Sequence, residues 1–470
     1  MAAPPPNYVD TDVDALAAAV EDLPAYDGPA HGTSAHHANA RAEGDTPFTY
    51  HLKTKSKDST WAWWGQLTVN GNARLSGALA PTILQGTPLS GSVQLDLREP
   101  ESIAAVQVVL RGETRGGSPD DGIAIPTVFL EVKKELWNAS QGDPNQPGAK
   151  ASSKAKLKGE YKWPFSFDLP AEITKGGKAY RLPHSFGTGR GYFTLQYLVE
   201  LHIVRPKLHF GRDEKLPVTF TYFTLIPAAQ PSPLRALAYQ ENSPLLGPDA
   251  DPGGWTTKVF VISGRLFSTR DVSNISLKLS LAKPFSYTRS ASIPVALTIE
   301  SADSEAVDVL STPSAPILVL ECTTQQNAQN YRTTTEPVMK AVWWPAPGQP
   351  KGHLMGELHL RGNLHPSTNF AHYGFRVQYS VVLFPFQAVG FKQDVDGGFE
   401  PLKGSRQVVE ITTRFAQGPR PKTYSPVPVG ANAKNDAITS YYRVRTVTTL
   451  DVASEDFVRD QGFATDNTFG

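Results

Sequence analysis

The chain has little of three things: cysteine, an excess of charge of one sign, and long apolar runs. Its single cysteine is Cys322, so no internal disulfide can form. Lys and Arg number 45 against 45 Asp and Glu, which removes the general basic footprint of most nucleic-acid-binding proteins. No apolar run reaches the roughly 20 residues of a membrane-spanning helix, since Pro385 interrupts the best candidate, 381–391. We therefore expect no nucleic-acid partner and no membrane-spanning helix.

The N-terminus also lacks a basic-then-apolar start followed by a cleavage site, the pattern of a secretory signal. Together with the single cysteine, this predicts a cytoplasmic protein whose membrane association, where it occurs, is peripheral.

Residue patterns that carry catalysis are scarce. No G-x-S-x-G elbow occurs, and His31, His36 and His37 stand in a polar tail without a spaced second pair of ligands. The glycine-rich run 187–191 leads into an apparent strand, whereas a phosphate loop should open onto a helix. Cys322 stands in an apolar run, where a buried structural thiol is expected. These patterns predict no catalytic site, no cofactor and no metal.

Two tyrosine motifs stand out near the N-terminus. Pro5, Pro6 and Tyr8 form a P-P-x-Y tetrapeptide, and Leu23, Pro24 and Tyr26 form an L-P-x-Y variant. Consecutive prolines hold an extended polyproline II segment, so little entropy is lost when it lies in the groove of a WW domain. The two tyrosines are 18 residues apart in the sequence, and a flexible spacer of that length spans about 24 Å, enough for adjacent WW modules. A Pro-rich tail also produces such tetrapeptides by chance.

Composition divides the chain into five segments. Residues 1–46 are rich in Ala, Pro, Asp and Gly and predict a disordered tail. Residues 47–230 and 255–415 show apolar residues at period two between Gly- and Pro-rich turns, which predicts antiparallel strands and two β-sandwiches. Clustered prolines predict a linker at 231–254, and polar composition predicts a flexible C-terminal tail at 416–470.

The two halves also resemble each other in order. The motif F-x-[LV]-Q-Y at 193–197 recurs at 375–379, an offset of 182 residues (375 minus 193), and Leu-Pro-His-Ser at 182–185 is matched by Leu-His-Pro-Ser at 364–367 with the same offset. Trp163-Pro164 and Trp344-Pro345 are displaced by 181. Three matches in one order favour a duplicated sandwich, although any antiparallel sheet offers short similarities.

One ordered set of motifs resembles the N-terminal domain of arrestin-like proteins. It comprises Tyr-Lys-Trp-Pro-Phe-Ser-Phe-Asp-Leu-Pro at 161–170, then Leu182, Pro183, Ser185 and Phe186, then the aromatic run 192–205. The resemblance implies an all-β fold of two tandem immunoglobulin-like β-sandwich domains of arrestin type. Relatives with P-P-x-Y motifs, the alpha-arrestins, recruit HECT ubiquitin ligases through WW domains and direct membrane transporters or receptors into endocytosis. Here the motifs precede the first sandwich, whereas in most such relatives they follow the second.

Two polar segments are further candidates for contacts. The segment 138–159 carries Lys150, Lys154, Lys156 and Lys158, which could contact anionic lipid or accept ubiquitin; solvated surface is the plainer interpretation. The segment 113–122, with Glu113, Arg115, Asp120 and Asp121, stands where arrestins present a loop that probes cargo, and it equally suits an ordinary hairpin connection.

Three function classes follow. The favoured hypothesis is a non-enzymatic adaptor that links a WW-domain HECT ubiquitin ligase to integral membrane transporters or receptors at the plasma membrane or endosomes. The alternative is an arrestin-fold sorting scaffold similar to retromer components, in which the tyrosine motifs are incidental. A carbohydrate-active β-sandwich enzyme would need paired carboxylates in one cleft and a secretory route, and the sequence favours neither.

Overall fold

The computed structural model of the chain describes residues 45–55, 61–72, 80–116, 126–146, 156–187, 193–206, 213–327, 331–395 and 398–425. The chain divides into two compact units between Thr224 and Leu225. Each unit is built almost wholly from strands arranged in β-sandwich-like sheets, which confirms the predicted all-β class.

The first unit contains twelve described strands and one short 3-10 turn, Ala139–Gln141. The strands are β1 Asp45–Lys55, β2 Trp61–Asn72, β3 Thr82–Leu84, β4 Leu89–Glu101, β5 Ala105–Gly116, β6 Thr127–Asn138, β7 Leu157–Phe167, β8 Glu172–Lys175, β9 Lys178–Arg181, β10 Phe186–Gly187, β11 Phe193–Val204 and β12 Glu214–Phe223. One sheet has the order β1-β2-β4-β7, and a second has the order β3-β12-β11-β5-β6, with β10 also paired to β11. Strands β8 and β9 pair only with each other.

The second unit contains twelve described strands, two helices and two 3-10 turns, Pro252–Gly254 and Ala371–Tyr373. The strands are β13 Trp255–Leu266, β14 Arg270–Ala282, β15 Ser286–Thr288, β16 Ser292–Glu300, β17 Ile317–Asn327, β18 Tyr331–Lys340, β19 Val342–Pro345, β20 His353–His359, β21 Thr368–Phe370, β22 Phe375–Phe384, β23 Phe391–Gln393 and β24 Gln407–Thr412; the helices are α1 Pro233–Glu241 and α2 Ser304–Leu310. The sheets have the orders β19-β20-β16-β14-β13-β23 and β15-β24-β22-β17-β18, with β21 also paired to β22.

The alternation of apolar side chains forms these strands. In β11, Phe193, Leu195 and Tyr197 are buried while Thr194 and Gln196 are partly exposed. Side chains point alternately to the two faces of a strand, so this spacing buries one face. The predicted strand 193–203 is therefore confirmed, and it lies at the centre of its sheet between β12 and β5.

One sheet of each unit has the same topology, which supports the predicted duplication. The order β3-β12-β11-β5-β6 corresponds strand for strand to β15-β24-β22-β17-β18, and in both sheets the first strand pairs in parallel with the second. The two F-x-[LV]-Q-Y motifs begin the equivalent strands β11 and β22.

A shared tyrosine bond makes the equivalence specific. The Tyr197 hydroxyl donates to the Pro183 carbonyl at 2.6 Å, and the Tyr379 hydroxyl donates to the His365 carbonyl at 2.8 Å. Both pairs of residues keep the offset of 182 (379 minus 197; 365 minus 183). The repeated motifs therefore encode one hydrogen-bonded corner in each unit.

The serine of each matched tetrapeptide also has the same role. Ser185 donates its N–H to the Tyr222 carbonyl at 3.0 Å and accepts the Tyr222 N–H at 2.9 Å through its hydroxyl. Ser367 makes both bonds with Ile411, each at 2.8 Å. The serine thus ties the tetrapeptide to the neighbouring strand in both units.

The third sequence match is not structurally equivalent. Trp163 and Pro164 lie in β7, which pairs with β4, whereas Trp344 and Pro345 lie in β19, an added edge strand that pairs with β20. In the second unit β16 corresponds to β4, and it pairs with β20. The strand equivalent to β7 is therefore β20, not β19. The Trp-Pro similarity is therefore a chance match, and two of the three matches carry the duplication.

Segment boundaries differ from the predicted ones in four places. The division between Thr224 and Leu225 falls within the predicted first sandwich, 47–230. Strand β1 starts at Asp45, so the last two residues of the predicted N-terminal tail belong to it. The predicted linker 231–254 contains helix α1, capped by the Ser232 side chain with Pro233 in its first turn. Residues 416–425 belong to the second unit, and Ser425 is buried there.

Candidate functional site

Most of the predicted binding residues lie outside the described part of the chain. This holds for Pro5, Pro6 and Tyr8, for Leu23, Pro24 and Tyr26, and for Asp120, Asp121, Lys150 and Lys154. Their assignments remain predictions.

Glu113 corrects one of the predicted loops. It lies within β5, fully buried, and its Oε1 atom accepts hydrogen bonds from Arg115 Nε at 2.5 Å and Gln196 Nε2 at 2.9 Å. Strand β5 continues to Gly116 because it pairs with β11 as far as Phe193. The prediction that a loop starts at Glu113 is therefore wrong. A fully buried carboxylate is not available to probe cargo in this conformation. The Arg115 side chain also lies in β5 and is 49% exposed, with its Nε atom bonded to Glu113.

Lys156 and Lys158 are exposed at the start of β7, so the strand begins within the predicted loop. The Tyr161 hydroxyl donates to the Lys158 carbonyl at 3.0 Å and lies 2.9 Å from Asp143 Oδ1, while the Lys158 N–H donates to the same hydroxyl at 3.1 Å. Tyr161 thus connects the two described ends of the lysine-bearing segment. The side chains of Lys156 and Lys158 are both accessible for the predicted lipid or ubiquitin contacts.

Cys322 is a buried thiol in β17, as predicted. Burial raises its pKa to about 12, so the nucleophilic thiolate is disfavoured at neutral pH.

An open apolar groove is present in the second unit. Its volume is about 530 Å³, and Pro385, Phe386, Phe391, Val395 and Phe399 are among the residues that line it. Val389 at its rim is 99% exposed. The nearby Phe267, in the turn between β13 and β14, is 51% exposed and donates its N–H to the Gly390 carbonyl at 2.6 Å.

A second polar constellation joins Glu357 and His359 of β20 to Ser425. His359 Nε2 lies 2.7 Å from Ser425 Oγ and 3.5 Å from Glu357 Oε2, and the Ser425 hydroxyl donates to Glu357 Oε2 at 2.9 Å. Glu357 is 1% exposed, and burial lowers the pKa of His359, although the carboxylate opposes that shift.

These three residue types also form hydrolytic triads, but the arrangement here is different. In a triad the carboxylate holds one imidazole nitrogen while the other nitrogen activates the serine. Here serine and carboxylate both face Nε2 of His359, and they contact each other directly. The geometry holds the serine in place and lacks the relay that would activate it.

The carboxylate also holds the backbone of residues 422–425. Glu357 accepts the N–H of Tyr424 at 2.9 Å and that of Ser425 at 3.3 Å. Tyr424 donates its hydroxyl to the Ser243 carbonyl at 2.8 Å, and Lys422 Nζ donates to Asn242 Oδ1 at 3.1 Å. We call this arrangement of residues 422–425 on Glu357 and the end of α1 the Glu357 clasp.

Sequence reasoning missed the clasp. Glu357 and Ser425 are 68 residues apart, so no local spacing connects them. The available signal was Glu357 itself, a charged residue that precedes Leu358 in the strand β20.

Within the described ranges, no group of three His, Cys, Asp or Glu side chains is placed to hold a metal ion. Among the helices that the structure describes, none is long and apolar enough to cross a membrane.

No family model matches the chain, and no curated protein matches it.

Proposed function

We propose that this chain is a non-enzymatic, arrestin-like adaptor. It recruits a HECT ubiquitin ligase through the ligase's WW domains and brings it to integral membrane transporters or receptors, whose ubiquitylation and endocytosis it promotes. It acts in the cytoplasm, peripherally at the plasma membrane or endosomes.

The observation that carries the proposal is the pair of tyrosine motifs, Pro5 to Tyr8 and Leu23 to Tyr26, ahead of a duplicated all-β body. The matched corners at Tyr197 and Tyr379 support the arrestin resemblance, because the motifs on which it rests also form the repeated hydrogen bonds. The presence of two motifs instead of one increases the expected affinity. A single WW ligand is often micromolar, and tandem engagement adds about 10² to 10⁴ in affinity without new contacts.

The test is a calorimetric titration of the full chain with a tandem WW protein. We expect Tyr8→Ala or Tyr26→Ala alone to weaken binding by about 10² through loss of avidity, and the double variant to abolish it. Asn7→Ala and Ala25→Ser alter the variable position of each motif and serve as matched controls that should bind like the wild type. Equal binding by the double variant and the wild type would refute ligase recruitment and favour the sorting scaffold.

A further inference from the structure

Ser425 is the point where the Glu357 clasp would be most sensitive to added charge. Its hydroxyl is enclosed between the buried Glu357 carboxylate, 2.9 Å away, and His359 Nε2, 2.7 Å away. Its own backbone N–H and that of Tyr424 donate to the same carboxylate. Glu357 therefore holds Tyr424 and Ser425 by accepting three hydrogen bonds from them.

We propose that Ser425 is a phosphorylation site and that its phosphate opens the Glu357 clasp. Pro426 follows Ser425 in the sequence, which is the residue that a proline-directed protein kinase recognises after its target serine. In the reaction the Ser425 oxygen forms a bond to the γ-phosphorus of ATP, the bond from that phosphorus to the β-phosphate oxygen breaks, and ADP leaves. The hydroxyl proton passes to the base of the kinase.

The product is incompatible with the closed clasp. A phosphoserine carries close to two negative charges at neutral pH, and it has no hydroxyl proton to donate to Glu357. Ser425 is 7% exposed and Glu357 1% exposed, so water cannot screen the repulsion between the two anions. In the unmodified protein burial lowers the pKa of His359, although Glu357 opposes that shift.

Opening would release more than one side chain. Tyr424 would lose its bond to the Ser243 carbonyl, and Lys422 its bond to Asn242, so the residues that follow α1 would lose their contacts with 422–425. The kinase must bind Ser425 as an extended, accessible segment, so it modifies the open form and prevents reclosure. Phosphorylation would thereby release residues 422–425 from Glu357 and from the end of α1.

Amide hydrogen exchange of the full chain tests whether a negative charge at residue 425 opens the Glu357 clasp. We expect Ser425→Glu to accelerate exchange in peptides covering 422–428 and 239–246 at least tenfold. Ser425→Ala should have a smaller effect, because both backbone N–H bonds to Glu357 remain. Thr423→Glu adds the same charge at an exposed neighbouring position and should stay within about twofold of the wild type. Equal effects of Ser425→Glu and Ser425→Ala, or of Ser425→Glu and Thr423→Glu, would overturn the proposal that charge repulsion opens the Glu357 clasp.

A double-mutant comparison identifies the opposing charge. In a Glu357→Gln background the repulsion is absent, so the acceleration caused by Ser425→Glu should shrink severalfold. An undiminished effect would show that Glu357 is not the opposing group and would overturn the proposal.

The modification is tested with a proline-directed kinase, ATP and Mg²⁺ on the full chain, followed by mass spectrometry. We expect phosphate on Ser425, incorporated faster in Glu357→Ala, where the clasp is open. Absence of phosphate on Ser425 in both chains would overturn the assignment of this site.

Discussion

Tyr197 and Tyr379 determine the corner geometry of the two units at the level of single side chains. A phenol can be buried at low cost only when its hydroxyl finds an acceptor, and each of these donates to a backbone carbonyl 14 residues earlier in the chain. Burial raises the pKa of both phenols well above the ordinary value. In each case the phenolate could not donate this bond, so the corner depends on a neutral phenol.

These raised pKa values predict a loss of stability at alkaline pH. In the unfolded chain a tyrosine ionises near pH 10, whereas in the folded chain these two stay protonated to higher pH. Their contribution is therefore complete below about pH 10 and declines above it, by about 1.4 kcal/mol per pH unit for each tyrosine. Urea unfolding at a series of pH values from 9 to 11.5 measures the slope.

Tyr197→Phe removes one of these groups. The variant should lose about 1 kcal/mol at pH 9 through the missing hydrogen bond, while its stability falls less steeply than that of the wild type above pH 10. Val199→Ala, at a buried position on the same strand, lowers stability without removing a titrating group and should keep the wild-type slope. A Tyr197→Phe slope equal to that of the wild type would contradict the assignment.

At the scale of strands and helices, alternation predicted most of the architecture, because period two follows directly from strand geometry. It failed where a polar residue is buried. Glu113 was interpreted as part of a loop because the segment 113–122 stands where arrestins present one. Cross-strand pairing with β11 keeps it in β5, and Arg115 and Gln196 donate to its Oε1 atom. Proline caused the other error of this kind. Pro233 was taken to mark a linker, although a proline in the first turn of a helix is favourable.

Partners distant in sequence could not be predicted at all. The Trp-Pro similarity gave no indication that Trp344 lies in an added edge strand, and nothing near Glu357 points to Ser425. Local patterns specify which face of a strand is buried. The partner of a buried charge, however, comes from a segment distant in sequence, and its position depends on the tertiary fold.

Close approach between strands makes Gly91 sensitive to substitution. A Cβ atom at this position in β4 would lie 2.6 Å from the Phe165 ring and closer still to the Thr68 carbonyl oxygen. Gly91→Ala should therefore cost about 2 to 3 kcal/mol, since both neighbouring strands must move. Gly187→Ala in β10 is the control, because its nearest contact is an ordinary 3.9 Å to Thr194, and we expect a change within about 0.5 kcal/mol. Thermal unfolding compares the two, and equal losses would contradict the predicted crowding.

At the scale of the whole molecule, duplication and function are carried by different parts of the chain. The matched sheets explain how two units fold from similar motifs, but the tyrosine corners that define them are buried and serve packing. The residues proposed to recruit a ligase precede Asp45, where the first strand begins. A second proposed control point, Ser425, follows β24 and lies outside both sheets of the second unit.

Two truncations separate folding from recruitment. A chain that begins at Asp45 retains every strand of the sheet β1-β2-β4-β7, so we expect its melting temperature to stay within about 2 °C of the full chain while tandem WW binding is lost.

A chain that begins at Trp61 also lacks β1, whose pairing with β2 extends from Asp45 to Lys55. Removal of this edge strand leaves the backbone edge of β2 unpaired and removes Tyr50 and Phe48, which pair with Leu67 and Val69. It should lower the melting temperature of the first unit by at least about 5 °C. Unchanged WW binding by the Asp45 chain would place the ligand elsewhere, whereas equal melting of both truncations would show that β1 adds nothing to the sheet.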